Sequence, residues 1–118
     1  MQQQMADDKL RQLQAGLAQL KLVFIKSLPA KAGEIEVLLE QLYEGGDPEE
    51  IVEQIGQRAH KLHGQSGSFG FAHIGQQAAK LEHEVDRAIN GPRPIMLENI
   101  ETQAIALLDL ITDALQEG

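Results

Sequence analysis

Helix-breaking residues are sparse in this chain, and they fall between segments whose apolar residues recur every three or four positions. They occur at Pro29, at 45–48, at Gly70 and at 91–94, and both glycine and proline disfavour the interior of a helix. The segments between them have helical periodicity, without the strict alternation that is typical of a half-buried strand. The spacing therefore predicts an all-α protein with five helices, at about 7–28, 30–44, 48–69, 71–90 and 95–116.

The short connections between these helices favour antiparallel packing of neighbours. A chain of 118 residues has the length of one domain, and it can bury enough surface to fold without disulfides or metals. We predict a single domain over residues 1–118, an antiparallel up-and-down four-helix bundle with an additional N-terminal helix packed across it. The stripe expected to hold that helix on the bundle is Leu10, Leu13, Leu17, Leu20 and Phe24.

Composition excludes several classes of function. The absence of cysteine excludes disulfides, thiolate metal sites and a cysteine nucleophile. Ten basic and 18 acidic residues give a formal net charge of −8, whereas nucleic-acid binders gain affinity from basic residues. No apolar run approaches the length of about 18 residues that spans a bilayer, and the N-terminus lacks the pattern of a signal peptide. We therefore expect a soluble, cytoplasmic domain with neither nucleic acid nor membrane as a partner.

The third predicted helix carries the chemically informative pattern. Its large apolar residues Ile51, Ile55 and Leu62 cluster on one side of a helical wheel. His60 lies on the opposite side, so we expect its imidazole to stand in water, away from the core. Near neutral pH an exposed imidazole is largely unprotonated, which makes it an available nucleophile.

Three glycines share the side of the helix on which His60 lies, namely Gly56, Gly64 and Gly67. Each glycine in an exposed helix costs about 1 kcal/mol relative to alanine, so their presence calls for a reason. One reason is a bare surface that lets another protein approach the ring, which suits phosphoryl transfer between proteins. The alternative is that the glycines fit a neighbouring helix or have accumulated without a role.

Around this histidine the chain has His-Lys-Leu-His-Gly at 60–64, Ser-Gly-Ser-Phe-Gly at 66–70 and Leu-Glu at 81–82. These runs resemble the histidine-containing phosphotransfer (HPt) family. That family has the pattern His-x-Leu-Lys-Gly, then small residues ending in an apolar residue and Gly, then Leu-Glu on the next helix. The upstream apolar spacing, including Phe24 and the Leu-Pro pair at 28–29, is also compatible. The resemblance therefore extends over most of the chain.

The resemblance implies a phosphorelay intermediate of two-component signalling, a phosphotransfer protein without its own ATP site. His60 would accept a phosphoryl group from a receiver-domain aspartate or pass it onward. The implied partners are response-regulator receiver domains or a hybrid histidine kinase, and the receiver would hold Mg²⁺ while this chain binds no cofactor or metal. The family also implies a monomer, with a dimer formed through the N-terminal helix as the alternative. The residues expected to support or dock the phosphotransfer site are Gln57, Lys61, His63, Gly64 and Gly67.

One position departs from the family pattern. The family commonly has lysine three residues after the phosphorylated histidine, and this chain has His63. Lysine carries a permanent positive charge, whereas histidine is only partly charged near neutral pH. We expect either a weaker or pH-sensitive transfer, or a contribution to the local field from Lys61 and Arg58.

Three alternatives stay open. The Gly-Ser-Phe-Gly-Phe run at 67–71 also resembles the phosphoacceptor domain of chemotaxis-type histidine kinases, for which the donor would be ATP on another domain. A helical bundle could instead bind a metal through His60, His63, His73 and His83, although bundle sites place their ligands inward and add carboxylates. The third alternative is a non-catalytic helical interaction module in which the histidine is incidental.

Overall fold

The protein is described by a computed structural model that covers residues 2–91 and 97–117. These residues contain no strand, so the all-α prediction is confirmed. Within the same ranges, no helix combines the length and the apolar character needed to cross a membrane. The predicted start of the last helix at 95 lies outside the described residues. The elements are α1 (Gln2–Tyr43), α2 (Pro48–Ser66), a 3-10 turn (Gly67–Phe69), α3 (Ala72–Asn90) and α4 (Leu97–Glu117).

The predicted break at Pro29 is wrong, because α1 continues through this residue. Proline inside a helix costs about 3 kcal/mol, since it removes one hydrogen bond and crowds the preceding turn. Here Pro29 is exposed, whereas Leu28 and Ile35 of the same helix are fully buried. Burying two such side chains contributes about 1.5–3 kcal/mol each, which offsets the cost of the proline. The predicted helices 7–28 and 30–44 are therefore one helix.

The ends of α2 follow from local sequence signals. Asp47 caps its first turn, with Oδ1 accepting the N–H of Glu49 at 3.2 Å, and Pro48 occupies the first helical position. After the 3-10 turn, Gly70 adopts φ 85°, a left-handed conformation that glycine reaches at little cost. The predicted helix over 48–69 thus corresponds to α2 and the 3-10 turn that follows it.

The core lies between the four helices. At one end, the Phe24 ring of α1 stacks on Phe69 with centroids 5.2 Å apart and meets Phe71 at 5.7 Å, which fixes α1 against the connection from α2 to α3. The buried apolar side chains are Phe24, Leu28, Ile35, Leu38, Leu39, Leu42, Ile51, Val52, Ile55, Ala59, Leu62, Ile74, Ala78, Leu81, Val85, Ile100, Ala104, Leu107 and Ile111.

The expectation that an N-terminal helix packs across the bundle is wrong. Every residue from 3 to 23 is exposed, and the expected stripe residues Leu10, Leu13, Leu17 and Leu20 are 54–65% exposed. At about 1.5 Å per residue, the 42 residues of α1 extend along most of the 65 Å length of the molecule. Because α2, α3 and α4 have only 19 to 21 residues, the first half of α1 projects beyond them.

Candidate functional site

His60 lies on the exposed side of α2. Its side chain is 74% exposed, while the adjacent Ala59 is fully buried and Leu62 is 1% exposed. The helical period produces this contrast, because residues one or two positions apart point to different sides of a helix. The predicted exposure of the imidazole is confirmed.

Glu82 of α3 connects His60 to His63. His60 Nδ1 lies 2.7 Å from Glu82 Oε2, and His63 Nδ1 lies 3.0 Å from Glu82 Oε1. Leu81 is fully buried in the core, which places the next residue of α3 at the edge of the helix pair, facing α2. One carboxylate therefore holds both imidazoles, with one oxygen for each ring.

The charge of the Glu82 carboxylate determines which nitrogen of each imidazole carries the hydrogen. Burial of the Glu82 carboxyl acts to raise its pKa, but the hydrogen bonds and charges of His60 and His63 outweigh burial and lower the pKa below 4.5. Glu82 is therefore ionised at neutral pH and can only accept hydrogen bonds. It follows that Nδ1–H of each ring donates to Glu82. A neutral His60 ring then carries its free lone pair on Nε2.

A groove of about 700 Å³ runs beside His60 between α2 and α3. Gln57, Lys61 and His63 line it together with His60, so three of the five predicted supporting residues border the same groove as the imidazole. The remainder of the lining includes apolar side chains of α3, among them Val85 and Ile89. The groove thus offers a polar end at the histidine and an apolar surface on which another protein could dock.

The glycines of α2 have two different roles. A Cβ atom added at Gly64 or Gly67 would meet nothing within 4 Å, so the surface beside His60 is open there, as predicted. A Cβ added at Gly56 would lie 2.7 Å from Cγ1 of Val85, which is closer than packed atoms allow. The interpretation of Gly56 as part of the bare surface is therefore wrong. This glycine instead allows α2 and α3 to pack closely.

The basic residues near the site, Arg58 and Lys61, have different surroundings. Arg58 Nε lies 2.9 Å from Glu34 Oε2, so this guanidinium is engaged with α1. Lys61 lines both the His60 groove and a smaller pocket beside Lys31 and Arg58. Burial lowers the pKa of Lys31, and the charge of Lys61 adds to this effect against the opposing influence of Glu34. Lys61 thus borders the groove and also lies close to two other basic residues, Lys31 and Arg58.

The other two histidines, His73 and His83, are not part of the hydrogen-bonded group of His60, His63 and Glu82. His73 and His83 are both exposed on α3, and His83 lines the far wall of the groove. Over residues 2–91 and 97–117, no group of three or more His, Asp or Glu side chains is arranged to hold a metal ion.

Glu82 is the site residue to which the sequence assigns no role, because a carboxylate in the acidic run 82–86 is also typical of a solvated helix surface. The signal that could have identified it is the Leu-Glu pair at 81–82. A buried leucine fixes the direction of the residue that follows it, and that residue is a carboxylate on the helix next to His60.

A model of one protein family, described as Hpt domain, matches residues 1–118, the whole chain. The comparisons with curated proteins and with solved structures give no match.

Proposed function

The chain belongs to the Hpt domain family, whose members are histidine phosphotransfer modules of two-component signalling, and we propose that it carries the phosphoryl group on His60 as a phosphorelay intermediate. The observation that carries this proposal is the geometry of His60. Its ring is 74% exposed and its Nδ1 is held by Glu82 at 2.7 Å, so the neutral ring offers Nε2 to a partner.

In the proposed step, the Nε2 lone pair of His60 attacks phosphorus in a receiver-domain aspartyl phosphate. The Nε2–P bond forms while the bond from phosphorus to the aspartate oxygen breaks, and the aspartate leaves as a carboxylate. The imidazole acquires positive charge as it reacts, and the Nδ1–H remains bonded to Glu82. A fixed carboxylate beside a developing positive charge stabilises the transition state without rearranging. The reverse sequence returns the phosphoryl group to a receiver.

In this proposal the chain supplies the nucleophile, and the partner receiver supplies the aspartyl phosphate and the metal ion. Gln57, Lys61 and His63 line the groove beside His60 and would contact the phosphoryl oxygens or the partner, while Gly64 leaves room for the partner's approach. The receiver would supply the Mg²⁺ that neutralises the phosphoryl oxygens. A cytoplasmic setting belongs to the same proposal, as does the absence of an ATP site in this chain.

The proposal also includes the antiparallel order of the bundle helices, because that order places Glu82 opposite His60. Support comes from the contacts between α2 and α3. Gly56 lies against Val85, and Ser66 lies against Gly75, so residue numbers rise along one helix as they fall along the other.

The experiment that tests the proposal is phosphoryl transfer from a phosphorylated receiver domain in the presence of Mg²⁺. We expect the wild-type chain to be labelled and His60→Gln to be unlabelled. His83→Gln is the matched control, since His83 lines the same groove, and this variant should still accept label. Labelling of His60→Gln would contradict the assignment. Labelling that requires ATP and a kinase catalytic domain, and fails with every receiver, would favour the chemotaxis-type alternative.

A further inference from the structure

The projecting half of α1 has an apolar stripe that its own chain leaves uncovered. Leu10, Leu13, Leu17 and Leu20 are 54–65% exposed, and their spacing of three, four and three residues is that of a coiled-coil seam. We propose that residues 7–23 pair with the same segment of a second copy of this chain in an antiparallel coiled coil. This inference is independent of the phosphotransfer proposal and replaces the expectation of a monomer.

A partner is needed to keep this segment helical. Residues 3–23 are all exposed, so they bury no apolar side chain in the bundle, and Lys21 Nζ lies 5.5 Å from the centroid of the Phe71 ring. Most of the stability of helices in proteins comes from packing of an amphipathic face against another element. Gly16 in its interior, where an added Cβ would meet nothing within 4 Å, costs a further 1 kcal/mol or so relative to alanine. A helix of this composition therefore requires burial of its apolar stripe.

The position of the bundle selects the antiparallel orientation. The stripe continues from Leu20 to Phe24 at the same spacing, and there it is covered by Phe69 and Phe71 of the same chain. The bundle thus occupies the seam from Phe24 onward. In a parallel pair, both bundles would meet at the same level on facing sides and force the helices apart. In an antiparallel pair, each projecting segment ends where the other copy's bundle begins.

The sequence of the stripe is self-complementary in that orientation. An antiparallel register centred near residue 15 places Leu10 of one copy beside Leu20 of the other, and Leu13 beside Leu17. Asp7, Gln14 and Lys21 flank this seam on one side, each following a seam position by one residue. The same register brings Asp7 of each copy beside Lys21 of the other, giving two opposite-charge pairs. A parallel register would not bring these two residues together.

Sedimentation equilibrium of the intact chain between about 1 and 200 µM tests the association. We expect the mass to rise from 13.0 kDa to twice that value. Leu13→Glu combined with Leu17→Glu should abolish the rise. Gln12→Glu combined with Ala15→Glu adds the same charge on the opposite side of α1 and should leave the rise intact. A wild-type mass of 13.0 kDa over the whole range would overturn the proposal.

Cysteine cross-linking tests the orientation, since the natural chain has no cysteine. Under mild oxidation, Leu10→Cys mixed with Leu20→Cys should form a linked pair, whereas Leu10→Cys alone should not link to itself. Self-linking of Leu10→Cys would mean a parallel pair and would overturn the antiparallel register.

The charge pairs provide a second check on the register. Asp7→Lys should raise the dissociation constant about fivefold, as two lost exposed ion pairs would, and the added change Lys21→Asp should restore it. Failure of the second change to restore affinity would contradict the pairing of these residues.

Discussion

The two sides of α2 make opposite demands on their residues. On the buried side, Ile55, Ala59 and Leu62 are no more than 1% exposed, so each contributes through packing. On the open side, His60 is 74% exposed and Gly64 has open space around it. One helix thus carries stability on one side and the candidate chemistry on the other. Substitutions should be able to change either property without the other.

The largest expected effect separates the two sides by stability. Leu62→Ala should lower the free energy of unfolding by about 2–5 kcal/mol, because it removes buried methyl groups and leaves a cavity. His60→Gln should change it by no more than about 0.5 kcal/mol, as exposed substitutions do. Urea denaturation followed by circular dichroism measures both values. Equal losses in the two variants would mean that His60 also has a structural role.

The second expected effect separates two glycines of the same helix. Gly56→Ala should lower the free energy of unfolding by about 1 kcal/mol, since the strain of overpacking against Val85 exceeds the gain in helix propensity. Gly64→Ala should raise it by up to about 1 kcal/mol, because its Cβ enters open space. Thermal unfolding of both variants measures the difference.

The matched control for that pair is the double variant Gly56→Ala with Val85→Ala. Removing the two Val85 methyl groups creates room for the new Cβ, so Gly56→Ala should cost nothing when added to Val85→Ala. If Gly56→Ala stays destabilising in that background, close packing against Val85 is not the reason for the glycine.

The third expected effect is on the rate of phosphoryl transfer. Gly64→Leu should slow phosphoryl transfer to His60 about tenfold or more, because a misplaced approach of even 1 Å is costly for a reaction that depends on positioning. Gly64→Ala is the size control and should transfer at a rate nearer to wild type. Single-turnover transfer from a phosphorylated receiver gives the rates. Equal rates for Gly64→Leu and wild type would contradict a role of the open surface in docking.

The smallest effect concerns the carboxylate that joins the open side of α2 to α3. The pKa of Glu82 is lowered in the folded protein by the hydrogen bonds of His60 and His63, against the effect of burial. Because this pKa is lowered in the folded protein, ionised Glu82 contributes to the free energy of unfolding above the ordinary value of 4.5. The contribution is lost as pH falls through the pKa of the folded state. Glu82→Gln should cost less than about 1 kcal/mol at pH 6.

The pH series provides the check on Glu82. The difference in melting temperature between wild type and Glu82→Gln should shrink toward zero as pH falls through the lowered pKa of Glu82 in the folded protein. A difference that stays constant down to pH 3, where ordinary carboxyls are protonated, would mean that the effect comes from packing and not from charge.

Features that depend on one helix at a time could be predicted from the sequence. The cap at Asp47, the left-handed Gly70 and the exposure of His60 all follow from local spacing and residue type. The proposed function came from the family pattern around His60, because hydrophobic periodicity predicts helices and their buried sides but not chemistry.

Features that depend on a second helix could not be predicted in the same way. The stripe of Leu10 to Leu20 has the same spacing as the buried part of α1, and periodicity indicates which side is apolar but not whether anything covers it. The contact of Glu82 with His60 and the contact of Gly56 with Val85 likewise depend on how α3 is placed against α2. The run through Pro29 depends on the burial of its neighbours.

The most direct test of the central claim is to locate the phosphoryl group on the protein. After transfer from a phosphorylated receiver, nitrogen and phosphorus NMR on the isotope-labelled chain identify the atom that bears it. We predict a single phosphohistidine, at Nε2 of His60, because Glu82 holds Nδ1 of that ring at 2.7 Å. A phosphoryl group on Nδ1 of His60, on another histidine or on a carboxylate would contradict the proposed chemistry.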